Sequence, residues 1–151
     1  MPLNRKYKRR AYTKPARSRV EWWRRALPYI RDILREAGIR PPRRTLLRAV
    51  RIPSSRECDG FTVEDLPLLP VKITCGPIKS LEVILHELIH LILASTHPNV
   101  IHSGPFVIMA RACGIIPPWS IGYSSPELRS RLSFIASQLG PYPAKAQNGK
   151  R

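Results

Sequence analysis

Hydrophobic positions along this chain fall into four helical stretches and one strand-like stretch. Residues 1–17 hold almost no apolar side chains and are expected to form a disordered basic arm. At Ser18 the pattern changes: Ser18 and Glu21 form an S-x-x-E capping box. Trp23, Leu27, Ile30 and Leu34 then recur at four- and three-residue steps, which predicts a helix over 18–38. Pro28 is expected to kink or break it, and Gly38, followed by Pro41 and Pro42, to stop it. Residues 43–75 read as strands and turns: a short apolar run from Leu46 to Ile52, a turn at Asp59-Gly60, and an alternating strand from Val71 to Cys75. Ser80 is the predicted cap of a second helix, Leu81 to Ser95, with Glu82 in its first turn. That helix is apolar nearly all round, so it should be central and buried. A third helix is predicted from Phe106 to Cys113, stopped by Gly114. A fourth runs from Pro126, capped by Ser125, to about Leu139, and residues 144–151 should form a flexible tail.

The 151 residues suit one domain, and 43% hydrophobic residues can supply its core. Cys58, Cys75 and Cys113 share no ligand spacing, which argues against a disulfide scaffold or zinc ribbon and for buried thiols. The N-terminus lacks the apolar stretch of a secretory signal. The longest apolar run, Leu81 to Ala94, is too short and too interrupted by Glu82, His86, Glu87 and His90 to span a bilayer. A cytoplasmic protein with no membrane partner is expected.

Charge changes the picture. Residues 1–56 carry 18 Lys and Arg against three acids, whereas residues 57–151 carry eight against seven. The whole excess of positive charge therefore lies in the first third, which points to a polyanion such as nucleic acid. Arginine outnumbers lysine there 15 to 3, and its guanidinium matches phosphate with two parallel bonds. The candidate contacts are Arg5, Lys6, Lys8, Arg9, Arg10, Lys14, Arg17 and Arg19. A merely solubilising arm is the competing reading. Tyr7, Tyr12, Trp22 and Trp23 can stack on bases or belong to the core.

The most informative residues are His86-Glu87-Leu88-Ile89-His90, an H-E-x-x-H pattern inside the central helix. Four residues turn a helix by about 400°, so both histidines lie on one face and can share a zinc ion. Glu87 stands about 100° away, placed to take a proton from water on the metal rather than to ligate it. A buried helix otherwise made of Val, Ile and Leu has little use for three ionisable groups unless a metal partners them. The third ligand has three candidates. His97 lies just past the helix end, and Glu127 lies on a later helix. His102 is better placed, after a loop that can turn the chain back. The metzincin spacing fails, because Leu93 and Thr96 occupy its glycine and histidine positions. Tyr123 is the candidate to stabilise an oxyanion, with His97 and Arg111 behind it, though surface packing explains Tyr123 as well. Phe106 is expected to pack under the metal.

At these residues the chain resembles the SprT-like metallopeptidases, most of all their short phage-encoded members. His86-Glu87-Leu88-Ile89-His90 followed by His102-Ser103-Gly104-Pro105-Phe106 is similar to the family's H-E-[LM]-[IVA]-H, spacer and H-G-x-x-F. Here the glycine comes one residue late. The resemblance spans residues 18–143 and is strongest over 81–114. It implies an α+β, zincin-like minimal metallopeptidase domain, with a small sheet packed on the central motif helix. It also implies one zinc on His86, His90 and His102, Glu87 as general base, and a protein substrate, with DNA-bound proteins as the family's theme. Many relatives carry a cysteine-rich zinc ribbon, which has no counterpart after Cys113. The alternative is a non-enzymatic basic DNA-binding protein with a structural zinc.

Overall fold

The first helix, α1 (Arg19–Glu36), begins and ends where its local chemistry directs. Ser18 Oγ accepts the Glu21 N–H at 3.0 Å, and the Glu21 carboxylate reaches back to the Arg17 N–H at 2.7 Å. At the other end Gly38 takes the left-handed conformation, φ 79°. The Gly38 and Ile39 N–H groups then close on the carbonyls of Arg35 and Leu34 at 3.0 and 2.8 Å. Pro28 does not break the helix. Buried Leu27, Tyr29 and Ile30 on either side of it hold the helix in its packing.

The structure, a computed structural model, describes residues 9–43, 47–51, 59–63, 71–73 and 76–143, with the backbone alone for the strands between 47 and 73. After α1, β1 (Leu47–Arg51), β2 (Asp59–Val63) and β3 (Val71–Ile73) form an antiparallel meander with Ala49 opposite Phe61 and Phe61 opposite Val71. Asp59-Gly60 opens β2 and makes no turn. Asp59 pairs with both Arg51 and Ile73, so ladder bonds on two sides override a local turn preference. Thr74, Cys75, Cys58 and the ends of the predicted 46–52 run lie outside the described residues.

The second helix, α2 (Pro77–Ala94), starts four residues before its expected start. Pro77 at the first helical position, after Gly76, outcompetes Ser80 as the start signal. Ser80 is instead inside the helix, donating to the Gly76 carbonyl at 3.0 Å and meeting the Tyr142 hydroxyl at 3.0 Å. Glu82 is accordingly past the first turn. It is buried, with Lys79 Nζ at 3.4 Å and Arg129 Nη1 at 3.9 Å. Leu81, Ile84, Leu85, Leu88 and Ile89 bury α2 against α1, α3 (Pro105–Cys113) and α4 (Pro126–Gln138). Between α3 and α4 lies a small antiparallel ladder absent from the predicted elements, β4 (Ile115–Ile116) with β5 (Tyr123–Ser124). Trp22 and Trp23 are core residues, with no exposed surface.

The described residues therefore make an α+β fold of four helices, a three-stranded meander and a two-stranded ladder. The expected disordered arm needs correction over residues 9–17, which dock on α1 and the end of α4. Tyr12 N–H donates to the Gln138 carbonyl at 2.8 Å, and Arg25 donates to the Lys14 carbonyl at 2.7 Å. Arg9 grips Asp32 with two bonds of 3.0 and 3.2 Å. This docking uses backbone carbonyls and cations, so the scarcity of apolar side chains did not signal it. Residues 1–8 and 144–151 lie outside the described residues. Among the described residues no helix is long and apolar enough to cross a membrane.

Candidate metal centre

The last turns of α2 place His86 and His90 one above the other, with their Nε2 atoms 3.1 Å apart. The loop after α2 turns the chain back, and His102 brings its Nε2 to 3.2 Å from each of them. Three nitrogens thus form a nearly equilateral triangle. Ligands about 2 Å from one ion at tetrahedral angles lie a little over 3 Å apart, so the triangle fits one metal ion. Among the described residues these three are the group that can hold a metal. Phe106, fully buried at the start of α3, is the floor: its ring centroid lies 5.0, 4.6 and 5.1 Å from those of His86, His90 and His102. Gly104 and Pro105, separated from His102 by Ser103 alone, open α3 and fix where that floor stands.

Electrostatics favour the same occupant. Burial first, then the neighbouring His90, His102 and Lys79 charges, lowers His86 to about 3. Burial and His102 lower His90 to about 4, and burial lowers His102. All three are therefore neutral near pH 7, with lone pairs free for a cation. A cation between the three Nε2 atoms would take a lone pair from each ring, with the ring proton carried on Nδ1. The Glu87 carboxyl, whose Oε1 lies 4.0 Å from His86 Nε2, is raised to about 7 by burial. With His86 neutral, that approach is not an ion pair.

The other candidates are elsewhere. His97 is exposed, with its Nδ1 2.9 Å from Thr96 Oγ1. Glu127 lines a separate cavity of about 620 Å³ with Glu36, Arg111, Cys113, Arg131 and Phe134. Neither joins the triangle. Tyr123 is half exposed on β5, with Lys79 Nζ 5.4 Å from its ring centroid. Arg111 stacks over Trp119 at 5.4 Å. Cys113 is buried, its thiol pushed up to about 12 by burial, so it is inert near neutral pH.

Several of the basic candidates serve the fold. Arg9 is bound to Asp32, Arg17 gives its N–H to Glu21, and Arg19 donates from Nε to the Pro143 carbonyl at 3.1 Å. The carbonyls of Arg10 and Lys14 accept from Tyr29 and Arg25. Arg5, Lys6 and Lys8 lie outside the described residues. Sequence reasoning missed Gly122, which is buried against His86. A glycine after a proline-rich loop signals a turn and gives no hint of the distant side chain it meets. Compared with known proteins, the chain matches no family model, no curated protein and no solved structure.

Proposed function

We propose that this chain is a zinc-dependent metallopeptidase of the SprT-like, zincin type. The observation that carries the reading is the Nε2 triangle of His86, His90 and His102 with the Glu87 carboxyl 4.0 Å from one of its corners. Zinc suits three neutral imidazoles, and catalytic sites characteristically use three protein ligands, leaving a position open. A structural zinc is usually closed by a fourth protein ligand, and among the described residues no fourth His, Cys, Asp or Glu joins the group. Zinc bound there supplies a Lewis acid and a water of lowered pKa.

The chain's own residues supply the rest. Glu87 takes the proton of the attacking water on its carboxylate and passes it to the departing amine. A value raised to about 7 lets one group do both near neutrality, and a nearby cation keeps it ionised until the proton arrives. Phe106 holds the three rings in register and keeps water from beneath them. The substrate is a protein, and the positive first third of the chain favours DNA-associated proteins in the cytoplasm.

Purified wild type and Glu87→Gln should be compared for cleavage of an unstructured protein, with and without DNA. Wild type should cleave. Glu87→Gln should retain zinc and lose cleavage by about 10²-fold or more. Zinc binding with no cleavage in either protein would leave a structural zinc in a basic DNA-binding protein.

A further inference from the structure

His86 is held unusually at the nitrogen that faces away from the triangle. A histidine that ligates through Nε2 ordinarily donates its Nδ1–H to a carboxylate, carbonyl or water, which fixes the ring. Here Nδ1 is fully buried and, among the described residues, has no hydrogen-bond partner. What covers it is Gly122. The turn between β4 and β5 carries Gly122 over the ring, with its N–H on the Pro118 carbonyl at 2.9 Å and φ at 70°. A Cβ on Gly122 would lie 2.9 Å from His86 Nδ1 and 3.6 Å from Ile115 Cγ2. The first distance is closer than real Cβ atoms come, so the ring would have to shift. The ring also packs at 63° against Phe106, centroids 5.0 Å apart, and Phe106 is itself fully buried.

We infer that Gly122 is a positioning residue for the metal centre, clamping the His86 ring by close packing where a hydrogen bond would ordinarily hold it. The inference rests on the metal reading of the three histidines, though not on peptidase activity. It predicts that any side chain at 122 tilts Nε2 out of the triangle, and that the effect appears in metal affinity.

The control is Gly38, which shares the left-handed backbone at φ 79° but would place its Cβ in open space. Alanine strains the backbone at both positions and meets a metal ligand only at 122. Zinc affinity should be measured by competition with a chromophoric chelator on full-length wild type, Gly122→Ala and Gly38→Ala. The expected result is a loss of about 10- to 100-fold for Gly122→Ala and wild-type affinity for Gly38→Ala. Equal affinity in all three would overturn the inference. If Gly122→Ala does not fold, the wild type decides by amide NMR. Zinc addition should shift the Gly122 signal and leave Gly38 in place, and an unmoved Gly122 signal would overturn the inference. A wild type that takes up no zinc would sink the metal reading and this inference together.

Discussion

Two polar clusters, one fully buried and one buried at a single corner, meet opposite fates in this molecule. In α1, Arg25 is 9% exposed and Asp32 3%. Both of these charges are answered. Arg25 donates to the carbonyls of Lys14, Leu139 and Pro15 and to Glu21, and its guanidinium lies 4.4 Å from the Tyr12 ring centroid. Asp32 accepts from Arg9 and Arg35. In α2 and the loop before α3, by contrast, three histidines turn their Nε2 atoms toward one another, and among the described residues His86 Nδ1 has no hydrogen-bond partner. Leaving buried polar groups unmatched costs free energy. The saturated cluster therefore ties residues 9–15 and Leu139 to α1, whereas the three histidines are compatible with a metal ion between them.

The comparison predicts a double dissociation. The largest effect belongs to the histidines. His90→Ala should lower zinc affinity by at least about 10²-fold and remove cleavage. The unfolding midpoint of the metal-stripped chain in urea should move little, since His90 is only half-buried and, among the described residues, its ring nitrogens serve no other element. A large fall in that midpoint would mean that the triangle is scaffolding. Phe106→Ala should do both kinds of damage. Emptying a fully buried aromatic site costs about 3–5 kcal/mol, and loosened rings should weaken zinc binding as well. Urea unfolding and chelator competition on one preparation would show whether the two losses occur together.

Arg25→Ala should give the converse of His90→Ala. Stranding the carbonyls of Lys14 and Leu139 should cost about 1–3 kcal/mol while zinc affinity stays at the wild-type value. A changed zinc affinity would show that the clusters are coupled.

The smallest effect is a pH dependence of the metal-stripped chain. His86 and His90 are lowered from 6.5 to about 3 and about 4, so their contribution to stability is present above 6.5 and declines as pH falls toward 4. Glu87, raised from 4.5 to about 7, acts the other way and loses its contribution as pH rises through that window. Two histidines outweigh one carboxyl between about 4 and 6.5. Urea midpoints in the presence of a chelator should therefore fall on acidification from pH 6.5 to 4, and the fall should ease as the histidines themselves take up protons below 4. A level midpoint from pH 7 to 4 would contradict a neutral buried cluster.

What could be read from the sequence was what is local. The Ser18 cap, the Gly38 stop, the Ser125-Pro126 start of α4 and the shared face of His86 and His90 each depend on residues within one or two turns. His102 was identifiable only as the best of three candidates, because its approach depends on how a loop closes. The start of α2 was misplaced because Gly76-Pro77 ends a strand and begins a helix equally well. Docking of residues 9–17 was invisible, since it uses carbonyls that every sequence has. Gly122 gave no signal because its role is a contact with a ring far back along the chain.

The most direct test of the central claim is zinc content by mass spectrometry, on wild type and His102→Ala expressed side by side with ample zinc. The account predicts about one zinc per wild-type chain and far less in His102→Ala. Wild type without stoichiometric metal would contradict it and make the three-histidine triangle an unfilled feature of a basic helical protein.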